Sequence, residues 1–169
     1  KPSGRDLREF RELTELHHIS TTVVTANEER SALLGCRRGS QLSEACFLRR
    51  REGSALPMSM FRIYVPVQYA AAQITPKVSR VPIYRNLERM FGLTIAEVRR
   101  DRLATVLDRP TATPLHAAPG AAALQVQRLY DAPSCRAGVG EGHSVDVRGR
   151  RLLHAQTKAC AAGTERRAR

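Results

Sequence analysis

Apolar and polar positions along this chain repeat with two different periods, and the changes of period mark its elements. Leu7, Phe10, Leu13 and Leu16 recur three apart between charges in RDLREFRELTEL, which predicts an amphipathic helix over Arg5 to Leu16. The β-branched run ISTTVVT predicts a strand over Ile19 to Thr25. Asn27 followed by Glu28 and Glu29 suits a helix N-cap with an acidic first turn, and Gly35 suits the stop after Leu33 and Leu34. Arg37 to Ser40 is a turn. Period two then takes over in QLSEACFLRRR (Gln41 to Arg51), Glu52-Gly53-Ser54 turns the chain, and LPMSMFRIYV (Leu56 to Val65) forms the second arm of a hairpin ended by Pro66.

Pro82 stands at a first helical position, Ile83, Leu87 and Met90 form an apolar stripe, and Gly92 stops that helix. Leu93 to Leu107 is extended, and Thr111 to His116 is a short helix. Shifting the chain by 81 residues lays Leu34, Gly39, Leu48 and the strand from Gln41 over Leu115, Gly120, Leu129 and the strand from Ala122. The second copy ends less cleanly, because Ala132 to Gly142 is rich in Gly, Pro and Ser, and alternation resumes only over His143 to Leu153. A duplicated unit of this kind predicts an α+β fold: a mainly antiparallel sheet with helices on one side and two pseudo-repeated halves around a cleft.

Composition narrows the function. At 169 residues the chain suffices for one domain with a core, and it opens on Lys1 rather than Met, so a segment of a longer polypeptide is expected. No run reaches the roughly 20 apolar residues that span a bilayer, and no apolar signal follows the charged start, so a cytoplasmic protein with no membrane partner is expected. The net charge of +12 invites a nucleic-acid reading. Only Lys1, Lys77 and Lys158 are lysines, however, and the arginines are spread along the whole chain rather than gathered on one element. Cys36, Cys46, Cys135 and Cys160 form no C-x-x-C pair, and no metal or cofactor is expected.

The motifs of common enzyme classes are missing: no G-x-S-x-G, no G-x-x-x-x-G-K-[ST] and no G-x-G-x-x-G opening a helix. Gly138 to Gly142 (GVGEG) has neither an apolar strand before it nor a helix after it and reads as a flexible hairpin. His17 and His18 are neighbours and point in different directions, while His116, His143 and His154 have no partner at ligand spacing. Arg49, Arg50 and Arg51 stand where a strand enters its hairpin, and alternation sends Arg50 to the face opposite Arg49 and Arg51. In a cleft, the donor fork of Arg49 suits a carboxylate or phosphate. On an edge strand, the same triplet would guard against aggregation, and the residues alone leave both readings open.

The runs PMSMFRIYVP (Pro57 to Pro66), IYRNLERMFGLTI (Ile83 to Ile95), LATVLD, LHAAPGAAALQVQRLYD (Leu115 to Asp131) and VRGRRL (Val147 to Leu152), in this order and spacing, resemble the UTRA domain. That domain is the effector-binding part of GntR-type transcription regulators of the HutC subfamily and has the chorismate lyase-like fold. The resemblance runs from about Arg5 to about His154. It implies a domain over residues 1–160 with a disordered tail over 161–169, a winged helix-turn-helix preceding it in the full protein, a homodimer, and operator DNA bound only through that missing domain. It also implies a pocket for a small anionic metabolite. The family's R-x-R falls on Phe47 and Arg49, its acidic hairpin residue on Phe61, its S-x-Y on Pro82 and Tyr84, and its late glutamate on Glu141. The following tyrosine and aspartate are Val147 and Arg150 here.

The resemblance thus implies a ligand-binding set of Phe47, Arg49, Phe61, Tyr84 and Glu141 and no catalytic residue. Phe47 and Pro82 replace an arginine and a serine that would donate to a phosphate, so a more apolar effector held through a carboxylate is expected. Two alternatives come from other classes. A chorismate lyase-like enzyme could work by positioning alone, with the lost arginine against it, and a basic nucleic-acid-binding module is supported by charge only.

Overall fold

The structure, a computed structural model, describes residues 14–73 and 83–132, and the backbone of 135–144. Strand β1 (Thr14–Thr25) takes up the end of the run expected to be helical. Thr14, Glu15 and Leu16 pair with Arg51, Arg50 and Arg49 of β2 (Gln41–Arg51), so cross-strand pairing overrides the local helical period there. The rest of that expected helix lies outside the described residues. Between them, α1 (Glu28–Leu34) begins at Asn27, whose side chain accepts from the Arg30 amide at 2.9 Å, and ends at Gly35 with a left-handed φ of 61°.

β2 forms the expected hairpin with β3 (Pro57–Pro66), after which the 3-10 turn η1 (Val67–Gln73) and helix α2 (Ile83–Phe91) cross the sheet. Ile83 and Leu87 of α2 are buried as expected, whereas Met90 is exposed and Asn86 takes an inward place. The second half contains β4 (Glu97–Val106), α3 (Arg109–Ala112) with the 3-10 turn η2 (Thr113–Leu115), β5 (Ala122–Ala132) and β6 (Cys135–Ser144). The six strands form one antiparallel sheet in the order β1-β2-β3-β6-β5-β4.

The GVGEG segment is therefore not a flexible hairpin but part of β6, and its Gly140, Glu141 and Gly142 pair on both sides, with β3 and with β5, while the β5 register shifts beside Gly138 and Val139. Pairing on both sides of Gly140 to Gly142 offsets the entropy cost of those glycines.

The 81-residue repeat is built into the backbone. Asn27 caps α1 and Asp108 caps α3, each side chain accepting from the amide three residues on at 2.9 Å. Gly39 donates to Ala26 O at 2.8 Å, and Gly120 donates to Leu107 O at 2.7 Å. Both glycines sit at left-handed φ, 86° and 82°, where a β-carbon would be strained. The two copies share an axis. Phe61 and Gly142, themselves 81 positions apart, are paired directly across the β3–β6 seam, so the internal two-fold passes between them.

Paired residues share a face of the sheet. On one face Ala45, Phe47, Ile63, Val65 and Tyr130 pack under Ala72 of η1 and Ile83 and Leu87 of α2. On the other, Leu34 of α1 packs on Leu42 and Tyr64, while Ala112 and Leu115 of α3 and η2 pack on Cys46, Leu48 and Met60. The expectation of helices on one side is thus corrected. β2 and β3 are apolar on both faces, and each face needs a cover.

Candidate ligand site

Four of the five expected site residues lie on the α2 face. Phe47 of β2 and Phe61 of β3 are direct cross-strand partners, and Arg49 is two residues from Phe47 on the same face. β2 is flanked by β1 and β3, which removes the reading of its arginine triplet as an edge guard. The Arg49 guanidinium lies over the Phe61 ring, 5.4 Å from its centroid, and donates to Thr14 Oγ1 at 2.8 Å. A cation on a ring face and a hydrogen bond fix a side chain that would otherwise sample many rotamers. Arg49 and Phe61 are half-buried, so this head group is both positioned and reachable.

Tyr84 comes from the first turn of α2 and stacks on Tyr130 of β5, with centroids 5.6 Å apart. Phe47 is completely buried, with the His18 ring 5.3 Å away, and so backs the site rather than facing solvent. Glu141 is displaced by one register position. It pairs with Arg62 and Gln127, and Gly142 is the residue opposite Phe61 and Val126. Tyr130, Thr14 and His18 were not among the expected residues. The repeat contains a signal for the first of them, because the 81-residue shift carries Arg49 onto Tyr130.

Chemically, the arrangement offers one immobilised guanidinium beside aromatic faces, the recognition set for a carboxylate attached to an apolar body. Among the described residues no group of His, Cys, Asp and Glu could hold a metal ion.

The UTRA domain family matches residues 14–131. The chain belongs to that family. The UTRA assignment agrees with solved structures that share the fold. A transcriptional regulator from Streptomyces coelicolor is 26% identical with a TM-score of 0.67, covering 79% of this chain and 87% of that one. The ligand-binding domain of a GntR-family transcriptional regulator from Bordetella bronchiseptica is 20% identical with a TM-score of 0.64, covering 79% and 83%. The C-terminal domain of the histidine utilization repressor from Pseudomonas syringae is 16% identical with a TM-score of 0.66, covering 82% and 95%. No curated protein matches the sequence. These relatives are transcription regulators or domains of them.

The opposite face of this UTRA domain is polar between its two helical covers. Burial, then a hydrogen bond to Glu44, pushes the Tyr64 hydroxyl well above the usual tyrosine range. Burial and the Glu44 charge also raise the Cys46 thiol. An open cavity of about 450 Å³ lies there, lined by Leu33 of α1, by Gly35 after it and by Arg99, Asp101, Gln127 and Leu129 of β4 and β5. None of the expected site residues lines it. Among the described residues no helix is long and apolar enough to cross a membrane.

Proposed function

We propose that this chain is the effector-sensing and dimerisation domain of a cytoplasmic GntR/HutC-type transcription regulator. The domain takes in residues 1–160, with 161–169 as a tail, and operator DNA is contacted only by a winged helix-turn-helix that precedes it in the full protein. The effector is a small anion, a carboxylate on an apolar or aromatic body, held by Arg49 and flanked by Phe61 and Tyr84. Phe47 supports the wall from behind. The observation that carries this reading is the Arg49 guanidinium fixed over Phe61 by its bond to Thr14 on a sheet face covered by α2. Effector binding shifts the population between two arrangements of a two-fold dimer and so moves the DNA-binding heads.

Thermal-shift screening against small carboxylates and phosphates tests it. A ligand at 100 times its dissociation constant adds about 2.7 kcal/mol of stability, a rise of roughly 5–10 °C for a domain of this size. Several carboxylates should stabilise the wild type and fail with Arg49→Ala. Carboxylates that stabilise both proteins equally would remove Arg49 from the site. For the dimer, sedimentation at tens of micromolar should give twice the 18.8 kDa of the chain, and a lone monomer would contradict it.

A further inference from the structure

The cavity beside α1 lies on the sheet face opposite Arg49, and the reading above does not use it. Its floor is two cross-strand pairs of β4 and β5, Arg99 with Leu129 and Asp101 with Gln127. Its wall is the last turn of α1, with Ala32, Leu33 and the cap Gly35. At about 450 Å³ it falls within the roughly 300–1,000 Å³ of small-molecule sites. The repeat shows why it is open. Cys46 and Leu48, 81 positions before Gln127 and Leu129, are buried against Ala112 and Leu115 of α3 and η2. Gln127 and Leu129 are only half-buried beside α1. One half closes this place with apolar packing, and the other keeps it as a cavity.

Arg99 and Asp101 bring opposite charges to this floor, two positions apart on one strand. Side chains so placed stand side by side about 7 Å apart, and among the described residues neither of these two is in an ion pair. The last turn of α1 carries no basic residue, so the partial negative charge at that helix end shares the cavity with Asp101 and has no cation from the helix itself. A lone anion taken by Arg99 would meet this negative charge. A lone cation taken by Asp101 would meet Arg99. A molecule carrying both charges escapes both penalties, and Ala32, Leu33 and Leu129 offer an apolar surface to the rest of it.

We propose that this cavity is a second ligand site, for a free α-amino acid with an aliphatic side chain. Arg99 takes the carboxylate, Asp101 takes the ammonium with the Gln127 side-chain oxygen as a further acceptor, and Leu33 and Leu129 take the side chain. The site is independent of the Arg49 pocket, which lies on the other face of the sheet.

Calorimetry on the full chain tests the proposal with L-leucine, with 4-methylpentanoate, which lacks the ammonium, and with 3-methylbutylamine, which lacks the carboxylate. The three are compared in Arg49→Ala, where 4-methylpentanoate has no second arginine to occupy in the other pocket. Leucine should bind there as in the wild type, and at least about tenfold more tightly than either control, the loss expected when a charge-assisted hydrogen bond is missing. Arg99→Ala and Asp101→Asn should each weaken leucine at least about tenfold. Both positions are exposed, so the melting temperature should stay within about 2 °C. Ala32→Leu narrows the cavity without touching either charge and keeps a good helix former, and it should weaken leucine as well. No binding of leucine at millimolar concentration, binding no tighter than 4-methylpentanoate in Arg49→Ala, or binding undiminished in Arg99→Ala and Asp101→Asn overturns this site and leaves the Arg49 reading untouched. Leucine lost in Arg49→Ala but kept in Arg99→Ala would belong to the Arg49 pocket and would equally overturn the second site.

Discussion

Gln73 is completely buried, and replacing it by leucine should cost this fold more than any surface change. Its Nε2 donates to Ile63 O at 2.7 Å and to Ser43 O at 3.1 Å, and its Oε1 accepts from Ser43 Oγ at 2.6 Å. One amide thereby ties η1 to both β2 and β3, and η1 in turn holds α2 through the bond from Asn86 Nδ2 to Ala72 O at 3.2 Å. Leucine matches glutamine in volume but supplies no polar atom, so the buried Ser43 hydroxyl loses its acceptor and two carbonyls lose a donor. A buried group left without a partner costs about 1–3 kcal/mol. Allowing for the apolar gain of leucine and for carbonyls that keep ladder bonds, Gln73→Leu should cost about 3 kcal/mol. At about 2–4 °C per kcal/mol for a chain of this size, the midpoint should fall by roughly 6–12 °C in calorimetric or circular-dichroism melts. Ser43→Ala alone should cost less. The double variant should cost less than the two single losses together, because both remove the same bond. A fall under about 2 °C for Gln73→Leu would refute the claim that this amide pins η1 to the sheet.

Other consequences can be checked separately. Against the best carboxylate from the thermal-shift screen, Arg49→Ala should lose about ten- to a hundredfold in affinity. Arg50→Ala, on the other sheet face, should change it less than about threefold, and equal losses in calorimetry would mean the register is wrong. Tyr64 ionises less readily in the fold than in the unfolded chain, so the stability it contributes is fully present below the usual tyrosine range and is lost as pH rises through its raised value. Cys46, also raised, acts in the same direction. Melts should show an alkaline fall beginning near pH 9–10, the usual range of these groups, and Tyr64→Phe should flatten the upper part; an unchanged slope would exclude Tyr64 as its source. Asn27→Ala and Asp108→Ala should each cost about 1 kcal/mol, similar to each other, if the repeated caps are equivalent; a large loss at only one would mean that the other helix is held by its packing alone.

The local elements were legible where the chemistry is local. The caps at Asn27 and Gly35, the Gln41 to Val65 hairpin and the duplicated order of strands follow from residue types at short spacing. Thr14 to Leu16 were misread because a period of three cannot report that Arg49 to Arg51 wait across the sheet. GVGEG was misread for a related reason. Glycine has no side chain to declare a strand, and only the ladders from both neighbours make it one. The site was half legible. Alternation put Phe47 and Arg49 on one face and the resemblance added Phe61, whereas the stack of Tyr84 on Tyr130 joins elements 46 residues apart in sequence and needed the fold.

The repeat also explains where the site could arise. The features it preserves, the Asn27 and Asp108 caps and the Ala26 and Leu107 bonds to the Gly39 and Gly120 turns, all satisfy backbone groups at helix starts and turns. A chain with either copy must meet those requirements regardless of what it binds. Side chains at the axis have no such obligation, because the ladders there already satisfy the backbone. Phe61 can therefore face Gly142, and an arginine can stand where the other half has an aromatic ring. A symmetric axis would put a second phenylalanine beside Phe61, where the chain has Gly142. The asymmetry puts a glycine beside Phe61 at a position paired on both sides, inside the sheet rather than at its edges, β1 and β4.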